Sequence, residues 1–472
     1  MKKSHLLTPS FLSAPSFLAP FLVTSLLGHS SIAAAKASPE QIAQLGNELT
    51  CVGAQADGNA DGSIPPFSGK WQGVPEGVQF TPNVGQHPVD PYPQDQALFT
   101  ITGQNWQQYQ GKLTEGQKAM FKRYPKTFSM PIYPGRRDFR YPDFVCDIAR
   151  KNAQEAELID QGMGFTGYKG AIPFPIPDAS QPLQVLQNHN FPYRAYTYHT
   201  VRDIADVNSK GYITWGRQNY RGLNVTNDPQ EIGKPMEGVM AYSLTATELP
   251  ARSKGSATVT SEPVNFAEAN RLAWNYNPGT RRVRQLPEYG FDTPLSGTAG
   301  KLTIDSDRLM NGSPERYDWV VQGKKEIYIP ANAYRVHSSE VKYDDLLKLG
   351  HANPDYMRYE LRRVWVLEAK LKEGYRHRYG KRVMYLDEDT WHGVIADYYD
   401  TRDTLVQHAF INYFYAFDMS AWQAGSSFYH DLTSGGYVGY NLFQEQEKAP
   451  ILNKYQYTKD NFSPAALRRL SH

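Results

Sequence analysis

The densest group of carboxylates in this 472-residue chain is Asp387-Glu388-Asp389, three in a row, the residue types that paired acid–base chemistry needs. They sit between KRVMYLD and TWHGVIADYYD, two strand-like runs, so the sequence assigns them to the solvated tip of a hairpin. A second acidic group, DGNADGSI, offers Asp57, Asn59 and Asp61 at the spacing of a calcium loop's first half, with Gly62 at the turn. Position twelve is Ser68, where a bidentate Glu is required, and Pro65-Pro66 block the following helix. An Asn/Asp/Gly turn accounts for the same residues, and no metal or other cofactor is expected. Nucleophile elbows, zinc helices, phosphate loops and dinucleotide fingerprints are missing, and the 12 histidines are scattered without ligand spacing. No catalytic residue is assigned.

The cations are more informative. Arg281, Arg282 and Arg284 in NPGTRRVRQLP, Lys324 and Lys325, Arg362 and Arg363, then Lys381 and Arg382 all fall in strand-like segments. Most read as a solvated sheet face paired with Glu326, Glu360 and Glu368. Arg363 differs. In RYELRRVWVLEAKLK, strand periodicity places Tyr359, Leu361, Trp365, Leu367 and Leu371 on one apolar face, and Arg363 shares that parity. A guanidinium there needs either a carboxylate, with Glu360 and Asp387 nearest, or a wet cavity holding an anionic headgroup.

These residues must be positioned by a scaffold that the rest of the sequence outlines. Residues 1–37 read as a secretory signal: Lys2 and Lys3, an apolar stretch from Phe11 to Leu27, then small residues allowing cleavage after Ala35 or Ala37. No Cys follows either site, so no lipid anchor is expected. Export favours a bridge between the two cysteines, Cys51 and Cys146, since neither neighbourhood marks a nucleophile. Removing Lys2 and Lys3 takes the net charge from +2 to zero, which gives nucleic acid no basic surface to bind. Residues 38–182 form a Pro- and aromatic-rich layer with short helices: one capped by Ser38 and Gln41, one by Thr114 and Gln117, and one running from Asp147 to Gly162. Residues 183–472 alternate strands with turn signals, implying an α+β, strand-rich chain built on one large antiparallel sheet with few helices and covered on one face. Short helices are expected in VNFAEANR and VKYDDLLKLG. The 32 tyrosines fit sheets and amphipathic, ligand-facing surfaces.

The stretches WNYNPGTRRVRQLP, RYDWVVQGKKEIYIPAN and the run from Arg358 to Asp400, with LTCVGAQADGNADGSIP, GQKAMFKRYPKTFSMPIYPGRRD and PFPIP, resemble domain-of-unknown-function family 1329. That family is similar to outer-membrane lipoprotein-sorting proteins of the LolA/LolB type. The matched motifs are Trp274, Tyr276, Pro278 and the basic run Arg281, Arg282, Arg284, then Asp387, Thr390 and Trp391. The resemblance implies a strongly curved sheet, a half-open barrel closed by helices, cupping hydrophobic ligands. It implies a non-enzymatic periplasmic carrier of lipid-like molecules, associated with the outer membrane and working beside an envelope transporter and an outer-membrane protein. On that reading Tyr359, Leu361, Arg363, Trp365, Leu367, Trp274 and Tyr276 line the cavity, and Arg281, Arg282 and Arg284 meet headgroups. The alternatives are an envelope adaptor bridging partner proteins, or a hydrolase of an envelope substrate. The chain is about twice the length of such a carrier, and the 51–182 layer has no counterpart there.

Overall fold

The computed structural model describes residues 36–469. The signal-sequence reading of residues 1–37, including the cleavage site after Ala35, lies almost wholly outside that range. Two short strands, β1 (Phe99–Thr102) and β2 (Ser129–Ile132), belong to the Pro-rich layer, and β3 (Glu157–Ile159) pairs with β4 (Gly164–Thr166). The long strands follow: β5 (Thr197–Val207), β6 (Ile213–Asn224), β7 (Val239–Leu249), β8 (Ala257–Pro263), β9 (Leu272–Asn277) and β10 (Arg282–Gln285). Then come β11 (Tyr317–Pro330), β12 (Tyr359–Leu371), β13 (Lys381–Asp387), β14 (Gly393–Tyr399), β15 (Leu405–Ala416), β16 (Ala421–Asp431), β17 (Tyr437–Leu442) and β18 (Ile451–Leu452). From β11 the hydrogen-bonded order runs β12 to β17 in sequence, then β5 to β10, as one antiparallel meander whose two ends do not meet. The large antiparallel sheet expected from the sequence is therefore present.

Helices are few: α1 (Pro39–Ala43), α2 (Glu115–Arg123), α3 (Asp143–Glu155), α4 (Pro182–Asn190), α5 (Tyr343–Leu346) and α6 (Pro464–Arg469). Both capping boxes form, Ser38 with Gln41 and Thr114 with Gln117, each satisfying otherwise orphaned N–H groups. Three expectations need correction. The third helix starts at Asp143 and stops at Glu155, because the chain turns there into the β3–β4 hairpin. VNFAEANR is not helical: Asn265 Oδ1 accepts the Ala267 N–H at 2.9 Å, a local turn that competes with a helix. VKYDDLLKLG is helical over only four residues.

The largest correction is that β12 is covered on both faces. Tyr359, Leu361, Trp365 and Leu367 are buried as expected, but so are Glu360, Arg362, Val364 and Val366. The Pro-rich layer packs over the second face, and β2 adds to the sheet in parallel beside Tyr359. What it brings is charge. Arg137 pairs with Asp389 (2.8 Å) and also donates to the Gln55 and Pro65 carbonyls. Arg362 pairs with Asp389 (2.7 Å) and donates to the Arg136 carbonyl. Arg358 spans Asp95 and Glu360 at 2.8 and 2.9 Å. Asp387, Glu388 and Asp389 are thus buried rather than solvated, because Arg137 and Arg362 converge on the two aspartates and Lys324 meets Glu388. Arg382 also leaves the expected solvated face. It is fully buried, bonded to Asp305 and ringed by Tyr317, Tyr379 and Tyr398.

The Cys51–Cys146 disulfide forms, closing 95 positions and fixing the layer's first loop to α3. Thiol labelling of denatured, unreduced protein should find no reactive cysteine, and reduction should cost about 4–5 kcal/mol in urea unfolding. Arg362→Met should cost about 3–5 kcal/mol in the same assay, since it leaves Glu360 and Asp389 short of a buried counter-charge. A loss below 1 kcal/mol would mean that the pairing does not hold the layer down.

Candidate ligand cavity

Two adjoining chambers, of about 150 and 130 Å³, lie on the inner face of the sheet. They share part of their lining, including Arg194, Arg202, Tyr220, Arg308 and Tyr440. Side chains from β15, β16, β17, β5, β6, β7 and β8 contribute. In a flat sheet β15 and β8 would stand about 29 Å apart, six spacings of about 4.8 Å. Bordering a common space therefore requires the sheet to curve strongly. Residues 289–312 cross the open side and supply Tyr289, Leu295, Asp307 and Arg308. The volumes are below the ~300–1,000 Å³ of ordinary small-molecule sites, so a compact ligand fits and several acyl chains do not.

The lining combines aromatic rings with cations. Tyr198, Tyr220, Tyr413, Trp422, Tyr289 and Tyr440 supply the rings. Arg202 is held by Gln218 at 3.0 Å and lies over the rings of Tyr220 and Tyr440, at 4.5 and 4.8 Å from their centroids. Arg271 is tied to Glu262. Arg194, just after α4, makes one long bond to the Asn190 carbonyl, 3.4 Å, and its Nε has no partner. Burial, and next the Arg308 charge, lower its pKa to about 9. His392 stacks on Tyr413 at 4.6 Å, and burial together with His189, Arg308 and Arg194 holds it neutral, well below the usual histidine range.

The residues singled out from sequence lie elsewhere. None of Tyr359, Leu361, Arg363, Trp365, Leu367, Trp274 and Tyr276 lines either chamber. Residues 51–57 drape over their end of β12: Trp391 stacks on Trp365 and donates to the Val52 carbonyl at 2.7 Å. Half-exposed Arg363 donates to the Asp57 carbonyl at 2.8 Å, a main-chain partner where a carboxylate or a ligand was anticipated. Trp274 and Tyr276 pack in a satellite cluster with Phe462 and Leu467 of the C-terminal segment. Arg281, Arg282 and Arg284 are exposed on the β9–β10 edge hairpin. In the acidic loop, Asn59 Oδ1 accepts the Ile64 N–H and Asp61 accepts from Ser63, so its oxygens close a turn. No group of three or more metal-ligating side chains occurs among the described residues.

Sequence reasoning missed Arg194, Arg202, Arg308 and Tyr440. Arg202 carried the signal used for Arg363, a cation sharing strand parity with an apolar residue, Ile204. Arg194 and Arg308 lie outside the regular strands, where periodicity has no hold.

The family model for "Protein of unknown function (DUF1329)" matches residues 100–468. An uncharacterized protein of Pseudomonas aeruginosa is 39% identical over 452 residues, covering 95% of this chain and 96% of that protein. A crystallised domain described as that of an outer membrane lipoprotein-sorting protein, from Vibrio parahaemolyticus, matches at 15% identity and a TM-score of 0.43, over 62% of this chain and all of that one. A DUF1329 family protein from Desulfovibrio piger matches at 17% identity and a TM-score of 0.39, over 58% of this chain and 92% of that one.

The matched Asp387-x-x-Thr390-Trp391 motif yields a test. Asp387 and Asp389 share one buried site. Burial opposes both charges, but Arg137 and Arg362 keep Asp389 low, whereas burial carries Asp387 well above the usual carboxylate range. A raised folded pKa contributes stability below about pH 4 that is lost as pH rises through the folded value. Asp387→Asn retains the oxygen that accepts the Asp389 N–H and removes this titration. Its stability relative to the parent chain should therefore improve from pH 5 to pH 8, by at most about 1.4 kcal/mol per pH unit. An unchanged difference in urea unfolding at the two pH values would show that Asp387 is charged throughout.

Proposed function

The chain belongs to the DUF1329 family, and from that premise we propose that it is a non-enzymatic binding protein that carries compact hydrophobic or lipid-like molecules through an envelope compartment. The observation that carries this reading is the aromatic-lined pair of chambers between the curved sheet and residues 289–312. Rings of Tyr and Trp offer large apolar area with polar tips, a lining suited to amphipathic guests. The signal-like N-terminus and the Cys51–Cys146 bridge support the extracytoplasmic, periplasmic setting. No helix among the described residues is long and apolar enough to cross a membrane. In this reading cargo is received from, or passed to, an envelope transporter or an outer-membrane protein.

Filling the chambers tests the proposal. Ala241 borders one and Ala424 the other. The parent chain should enhance the fluorescence of 1-N-phenylnaphthylamine. Ala241→Trp combined with Ala424→Trp should weaken that binding at least tenfold with little change in melting temperature. No binding by the parent chain, or equal binding by the filled variant, would defeat the carrier reading.

A further inference from the structure

The cavity holds more positive charge than its own carboxylates neutralise. Arg194, Arg202, Arg271 and Arg308 face Glu262 and Asp307. Glu262 is committed to Arg271, and Asp307 acts on Arg202, which also has Gln218 and two tyrosine rings. Arg194 and Arg308 are left without a carboxylate partner among the described residues, and the Arg308 charge disfavours that of Arg194. Two half-buried guanidiniums sharing a partly open chamber without a counter-ion cost stability unless something anionic joins them.

The backbone around Arg308 is held as though to present it. Arg308 and Leu309 both occupy left-handed conformations, φ 54° and 73°, which non-glycine residues adopt rarely and at a cost. The neighbouring carbonyls are pinned: Tyr398 donates to that of Leu309 at 2.8 Å, and His189 Nε2 bonds that of Met310 at 3.0 Å. The main chain that carries Arg308 is therefore fixed beside the chambers. Nearby, the Tyr440 hydroxyl has no partner and its residue is 2% exposed. Asn190 Oδ1 and Asn441 Oδ1, also buried, are acceptors without donors.

We propose that the space between Arg194 and Arg308 seats an oxyanion of the ligand (a carboxylate, phosphate or sulfate), with the Tyr440 hydroxyl as a neutral third donor. The rest of the ligand then lies against the aromatic lining, and any hydroxyl it carries can donate to Asn190 or Asn441. This rests on the carrier reading and narrows it: the cargo is an anionic amphiphile of one short chain or ring system. The headgroup role expected of Arg363 or Arg281–Arg284 moves to these two arginines. Guanidinium is the suitable cation, since its planar fork matches an oxyanion and stays charged in a partly dry site.

Calorimetric titration of the full chain with decanoate, decanol and inorganic phosphate tests the inference. Decanoate should bind roughly ten- to a hundredfold more tightly than decanol, the range of charge-assisted hydrogen bonds. Arg194→Met and Arg308→Met should each erase that preference and leave decanol affinity within about twofold. Arg308→Met should also raise the melting temperature of the ligand-free chain by a few degrees, because it removes an uncompensated cation. Equal affinity for decanoate and decanol would overturn the oxyanion site and leave the carrier reading standing. Phosphate binding alone, lost in both variants, would keep the oxyanion site with a free anion as its source and would end the carrier reading. Binding of none of the three would overturn both. A fall of more than about 10 °C in Arg308→Met would make Arg308 structural and overturn the inference as well.

Discussion

A guanidinium taken out of water must meet a counter-charge, and the way this chain meets that requirement organises the whole molecule. It encloses many arginines for a protein of near-zero net charge. Around β12 and the 387–389 turn, Arg137, Arg358 and Arg362 meet Asp95, Glu360 and Asp389. Under residues 301–310, Arg382 meets Asp305 within a ring of tyrosines. These pairs join segments distant in sequence: Asp95 and Arg137 come from the Pro-rich layer, their partners from the sheet. Long loops are normally the weakly held parts of a fold. Here they are held by buried, multiply bonded charges that are strongly unfavourable to separate.

That arrangement explains how a prolyl, aromatic segment with only short helices and strands comes to cover one face of the sheet. Proline removes the N–H donors with which a segment joins a sheet as a central strand, so among the described residues the layer contributes only β1 and β2 to the large sheet. Its other attachments run through side chains, such as Arg137 to Asp389, Gln117 to the Tyr328 carbonyl and Trp391 to that of Val52. The disulfide adds a covalent tie at the layer's start. One face of the sheet is thus closed, and the space for a ligand lies where strands β15 to β17 and β5 to β8 curve around residues 289–312.

The same electrostatic rule separates structure from function inside the molecule. Where arginine finds a carboxylate at 2.7–2.9 Å, as Arg137, Arg358 and Arg362 do, the pair is architectural. Where it does not, as with Arg194 and Arg308, the fold has left a demand that a guest can meet. The tyrosines serve both ends. They cage Arg382, where the cation is fully paired, and they stack on Arg202 beside the chambers, where ring faces keep a cation in place without neutralising it.

The sequence by itself determined the local features: both capping boxes, the strand-rich class with its antiparallel meander, the apolar face of β12 and the two cysteines available for a bridge. Each is decided by residues within a few positions of one another, or by composition, and period-2 alternation in a strand is legible wherever the strand pairs. It also determined family membership, through motifs whose structural role is now visible in the buried 387–391 turn. Tertiary structure alone decided which face of the sheet was covered and which arginines were paired. Arg362 read as solvated and Arg363 as buried, and their environments were exchanged by layer residues more than two hundred positions upstream, Arg136 and Asp57 among them, whose draping no periodicity records. Arg194 and Arg308 became neighbours only because the sheet curves and residues 289–312 cross it, so a site built from a loop, a helix end and several strands had no linear signature to read.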